Sequence, residues 1–125
     1  MCIVVAHSTS AEGTLALRYA IQQARRVGDT VRVVGPEARP PVPVMEQLVG
    51  VAWEWRRRPD GQDVAESLIA AVPTSSGTSD TDPTRDALIV IGLRRRTGEN
   101  RLILGRSAER VLLEAPCPVL TITAP

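Results

Sequence analysis

Three arginines, Arg94, Arg95 and Arg96, stand between Gly92 and Gly98, and a third glycine, Gly105, is followed directly by Arg106 and Ser107. Guanidinium groups make charge-assisted, often bidentate hydrogen bonds to phosphate. Glycine lets backbone approach a ligand closely and turn where other residues are strained. A helix beginning near 105–107 would add unpaired backbone N–H groups, which attract anions. The chemistry available to this set is therefore phosphate binding. Gly92 and Gly105 would give close approach, and Arg94, Arg95, Arg96 and Arg106 would give charge. A second reading is equally physical: glycines after a strand and before a helix serve for turning alone, and an exposed arginine run is usually solvated.

Other chemistry is excluded residue by residue. The stretch 98–107 is no P-loop, because six residues separate its glycines and arginine stands where lysine should reach the terminal phosphates. "GRSAE" is not a nucleophile elbow. His7 is the sole histidine, so a Ser–His–Asp or Cys–His arrangement would hinge on one residue without a flagged partner. Cys2 and Cys117 with one histidine make no zinc signature, and both read as packed thiols. No catalytic constellation emerges. The expectation is a protein that is not an enzyme.

The whole-chain totals narrow the partners. At 125 residues and 43% hydrophobic content the chain suits one domain, 1–125, with its own core. A net charge of +1 offers no broad attraction to nucleic acid or anionic membrane. Tyr19, Trp53 and Trp55 are the only aromatics, too few for a single-stranded nucleic-acid platform. The opening "MCIVVA" lacks the features of a signal peptide, and no run approaches the roughly 20 apolar residues of a membrane span. A reduced, soluble, cytoplasmic protein is expected.

The positioning elements follow from periodicity. "CIVVA" (2–6), "TVRVVG" (30–35) and "ALIVIG" (87–92) are short, β-branched, nearly unbroken apolar runs, as in strands covered on both faces. "VAWEW" (51–55) alternates, with both tryptophans on one face, and "CPVLTIT" (117–123) closes the chain as a strand. Between them, Thr9 and Glu12 have capping-box spacing, and Leu17, Ala20, Ala24 and Val27 mark one helix face that Gly28 terminates. The segment 36–50 is proline-rich and irregular, with weak helical character at 44–49, and "RRRPDGQ" (56–62) reads as a turn. Asp63 and Glu66 repeat the cap spacing before a helix at 64–72, and "RSAERVLLEA" (106–115) offers Val111, Leu112 and Ala115 to a face. "TSSGTSDTDPT" (74–84) reads as a mobile surface loop. This alternation predicts a five-stranded parallel, doubly wound α/β sheet of flavodoxin or Rossmann type, with helices on both faces. With strand order 3-2-1-4-5, the switch point falls between strands 2–6 and 87–91. "AHSTS" and the arginine stretch would border it.

The opening "IVVAHSTSAEGTLALRYAIQQARRVG" and the ending "ALIVIG…LILGRSAERVLLEAPCPVLTI" together resemble the universal stress protein family over nearly the whole chain. The resemblance implies a small cytoplasmic homodimer, here joined through the last strand, Val119–Thr123, with a role in stress survival. It also implies ATP or another adenine nucleotide, with Mg²⁺ if ATP, bound through a G-x2-G-x9-G-[S/T] motif. Gly92 matches the first glycine and Gly105 the third; Arg95 replaces the second, Arg106 replaces the hydroxyl residue, and Ser107 brings a hydroxyl one place late. His7 stands where the family's acidic residue ends the first strand, and either meets a base or caps its own turn. Carried over by resemblance, Ala6, His7 and Ser8 would meet base and ribose, and Val34 would offer backbone to the base. Gly92, Arg95, Gly105, Arg106 and Ser107 would surround ribose and phosphates. Rival expectations are an interaction protein with an arginine-filled pocket, a slow ATPase, and a binder of another anion such as a cyclic nucleotide.

Overall fold

The computed structural model describes residues 1–73, 87–95, 102–103 and 105–124, with Arg95, Leu102 and Ile103 described by backbone alone. The expected loop at 74–84 and Arg96 lie outside the described residues. Elements run β1 (Cys2–Ala6), α1 (Ala11–Val27), β2 (Thr30–Gly35), α2 (Val42–Gln47), β3 (Ala52–Arg57) and α3 (Val64–Ala71). Then come β4 (Ala87–Arg95), β5 (Leu102–Ile103), α4 (Arg106–Glu114) and β6 (Val119–Ala124).

Five parallel strands stand in the order β3-β2-β1-β4-β6, the predicted 3-2-1-4-5 with β6 as the fifth. The apolar runs explain the centre. Ile3 and Val5 of β1 pack beneath α1 and α2, whereas Val4 between them packs against α3 and α4. Successive strand residues point to opposite faces, so a strand covered on both sides needs apolar residues at every position.

The structure adds one strand. β4 runs past Gly92 to Arg95, and Leu102–Ile103 returns antiparallel to it, Arg94 opposite Ile103 and Arg95 opposite Leu102. Arg94 also pairs with Ala124 of β6. A strand has two edges, so β5 must hold the edge of β4 that faces β1. β1 leaves that edge free after Val5↔Val90. β5 therefore continues the line of β1 beyond its carboxyl end, over the switch point.

Helix ends show where local signals shifted. The α1 N-cap is Ser10, one residue later than the Thr9 spacing suggests: its hydroxyl accepts the Gly13 N–H at 3.1 Å. Gly28 takes φ 77° and its N–H reaches the Ala24 carbonyl, as predicted for a left-handed terminus. The buried α1 face is Ala16, Leu17, Ala20, Ile21 and Ala24. Val27 is 55% exposed, because the last turn is already leaving the sheet for the Gly28 bend. Leu17 and Ile21 each contribute roughly 1.5–3 kcal/mol through burial. α2 begins at Val42, earlier than expected, since Pro43 suits a first helical turn. β3 takes in Arg56 and Arg57, leaving the turn to start after them. On α4 only Val111 is buried; Leu112 is exposed, because the sheet meets just one narrow stripe of this nine-residue helix.

Ser10→Ala is expected to lower unfolding free energy by about 1 kcal/mol, whereas Thr9→Ala should leave it nearly unchanged. Urea denaturation of the two variants distinguishes these caps.

Candidate functional site

Chain connections leave β1 toward β2 and leave β4 toward β6, so a crevice opens at the carboxyl ends of the central pair. It is about 160 Å³, smaller than the roughly 300–1,000 Å³ of most small-molecule sites. Its walls come from Ala6 and Ser8 after β1, Ser10, Glu12 and Gly13 at the start of α1, Gly92 on β4, Val64 on α3 and Ser107 on α4. Three helix amino termini therefore meet at one end of the sheet.

Gly92 has a reason independent of any ligand. A methyl group there would collide with the carbonyl carbon and oxygen of Glu12. Only a glycine allows the first turn of α1 to sit directly on β4. Ser8 and Ser10 close the same corner: their hydroxyls are 2.9 Å apart, and the Ser10 N–H donates to Ser8 Oγ at 3.1 Å. Gly13 is pressed against Ser8 and Ser10, leaving no room for a side chain. Ser10, Glu12 and Gly13 were not singled out as site residues. Their signal was the polar break "HSTSAEG" itself, directly after a buried strand.

Behind Ser107, outside the cleft lining, stands a cluster of carboxylates. Asp63 holds the N-cap position of α3 yet caps nothing with its side chain. Instead Ser107 Oγ donates to Asp63 Oδ1 at 2.9 Å, joining α4 to α3. Arg110 donates to Glu114 at 2.6 Å and to Glu66 at 2.8 Å, and lies 3.6 Å from Asp63 Oδ2. The hydrogen bonds to Glu114 and then Glu66 push its pKa further up, so it is charged at any working pH. Among the described residues no arginine lines the cleft. Arg106 is exposed and borders a shallow groove with Glu109, Leu113 and Glu114 on the outer side of α4. Gly105 is the α4 N-cap with φ −67°, exposed, with open space where a side chain would project.

His7 and Val34 lie beside the cleft, not in its lining. The His7 N–H donates to the Val34 carbonyl at 2.8 Å. Its ring tilts at 52° against Trp55, centroids 6.2 Å apart. The Trp55 ring lies over Gly35, where any side chain would strike it, and its Nε1–H donates to the Glu37 carbonyl at 2.7 Å. Trp55 is a neighbour that periodicity alone could not place, because it comes from a strand two positions away in the sheet. Thus Ala6, Ser8, Gly92 and Ser107 come together, His7 and Val34 flank them, and Gly105 and Arg106 stand outside. Arg95 ends β4 as a strand residue, not a loop residue.

The remaining candidates carry no site chemistry. Cys2 and Cys117 are both free, and burial pushes both thiols up, which keeps them protonated at neutral pH. Among the described residues no group of three His, Cys, Asp or Glu could hold a metal ion. Nor, among them, is any helix long and apolar enough to cross a membrane.

Fold and cleft together define a doubly wound α/β domain with one crevice at its switch point. Residues 1–123 match the universal stress protein family, and the chain belongs to it. It is similar to a universal stress protein of Mycolicibacterium smegmatis, 31% identical over 134 aligned residues that cover 96% of this chain and 95% of that one. The solved structure of a universal stress protein from Archaeoglobus fulgidus superposes with a TM-score of 0.63 at 25% identity, covering 98% of both chains. A structure of the universal stress protein from the same organism in complex with dAMP superposes at 0.59 with 22% identity, over 98% of this chain and 97% of that one.

Gly92→Ala is expected to destabilise the fold by about 1–3 kcal/mol through overpacking against α1. Gly105→Ala should cost less than about 1 kcal/mol, the loss of a tolerated N-cap residue. Chemical denaturation of both reads the difference between a packing glycine and a terminal one.

Proposed function

We propose that this chain is a cytoplasmic, homodimeric regulatory module that binds an adenine nucleotide at the carboxyl edge of its sheet and does not turn it over. The observation that carries this reading is the cleft. It joins Ala6, Ser8 and Gly92, positions the family resemblance assigns to ribose and phosphate, with the hydroxyl of Ser107. The dAMP complex of an Archaeoglobus relative with the same fold supports the ligand class. The His7–Trp55 pair gives the cleft an aromatic border on the side where a base would lie. Binding is favoured over catalysis because the hydroxyls of the cleft are already bonded to neighbours. Any Mg²⁺ would arrive with the nucleotide.

Dimer formation through β6 has a physical basis. β4 pairs with one edge of β6, and no described strand pairs with the other. An unpaired edge of six residues is a template for a second copy across a two-fold axis.

Calorimetric titration of the nucleotide-stripped protein with AMP, cyclic AMP, ADP and Mg·ATP should show micromolar binding of at least one of them. Heats equal to dilution for all four would refute the nucleotide assignment. Light scattering should give about twice the 13.5 kDa chain mass. Thr121→Lys, at an exposed β6 position, should shift it to the monomer. Phosphate release from Mg·ATP above the buffer rate would contradict the absence of turnover.

A further inference from the structure

The amino terminus of α4 is the pole of the cleft where an anionic ligand group would be expected. Its first turn has free N–H groups, and Ser107 adds a hydroxyl. An anion of the chain's own already stands there. Ser107 donates to the Asp63 carboxylate, which has left its own helix uncapped to make this bond. The neighbouring guanidinium does not neutralise it. Arg110 makes its two hydrogen bonds to Glu66 and Glu114, and three carboxylates around one arginine leave a local charge of −2. Glu12 also lines the cleft, and Arg106 lies on the outer side of α4.

We propose that Asp63 sets the selectivity of the cleft by acting as a built-in anion. It occupies the Ser107 hydroxyl at the cleft wall, so the ligand is a nucleoside or a nucleoside monophosphate and a polyphosphate chain is rejected. The inference rests on the nucleotide reading above and narrows its ligand class. Two effects oppose a terminal phosphate. The Ser107 hydroxyl is already donating to a carboxylate, and any phosphate oxygen near it meets that carboxylate at close range. A neutral ribose hydroxyl meets neither obstacle, because it carries no charge for the carboxylate to repel and needs no donation from Ser107.

The test is calorimetry with adenosine, AMP and Mg·ATP on the wild-type protein and on Asp63→Asn, Asp63→Gly and Glu66→Gln. Asn removes the charge and keeps the shape; Gly removes both and is a tolerated N-cap residue. Thermal unfolding confirms that each variant folds. The wild type should bind adenosine or AMP at least tenfold more tightly than ATP. Either Asp63 substitution should tighten ATP about tenfold and change adenosine less than twofold, as a regained charge-assisted hydrogen bond implies. Glu66→Gln should move ATP less than threefold. An equal gain in Glu66→Gln would assign the effect to overall charge and overturn the role of Asp63. ATP bound as tightly as adenosine, and unchanged in both Asp63 variants, would overturn that role while leaving the nucleotide reading intact. Absence of binding by all three ligands to every variant would overturn both.

Discussion

The seat of the first turn of α1 on β4 governs the working end of this molecule. Gly92 brings the Glu12 carbonyl into backbone contact with the strand, at a spacing that a single methyl group would abolish. That contact fixes where α1 begins, and so how the Ser8–Ser10 corner folds over it. It also sets one wall of the crevice. The helix cannot shift outward without exposing Ala16 and Leu17, or inward without meeting the strand. Close packing makes such a position all-or-none.

Three arginines, Arg25, Arg32 and Arg110, serve as scaffolding. Arg25 donates to the carbonyls of Gln47 and Val49 and so holds the end of α2. Arg32, mostly buried in β2, reaches the Ala71 carbonyl at the end of α3 and pairs with Glu54. Both place positive charge at the negative pole of a helix while satisfying carbonyls that the helix leaves free. Arg110 links α3 to α4 through three carboxylates. These exposed pairs contribute little stability individually. The three carboxylates around Arg110 leave the surroundings of Ser107 locally acidic.

β5 changes the meaning of the loop it belongs to. Two residues pairing antiparallel at the end of β4 bring the chain back over the carboxyl end of β1. Ser107 lines the cleft, and its hydroxyl turns to Asp63 at the start of α3.

The sequence by itself determined the layering, the five parallel strands and their order, and the end of the sheet where a site would lie. These depend on apolar runs, periodicity and terminal glycines, which are properties of neighbouring residues. "CIVVA" and "ALIVIG" needed no partner to be recognised as strands covered on both faces. Gly92 and Ser107 were legible as phosphate-site candidates from the glycine–arginine stretch that joins an apolar run to a helix, and Ser8 through the family resemblance. Only the tertiary structure decided which side chains face one another. Asp63 looked like a helix cap, yet its carboxylate is claimed by Ser107, 44 positions away. Arg106 looked like a phosphate ligand, yet the rotation of α4 that buries Val111 leaves it on the outer side. Trp55 reached His7 only because β3 lies beside β2. Side-chain direction at a site depends on how whole elements rotate to bury their apolar stripes, and that balance is struck across the core, beyond the reach of any local pattern.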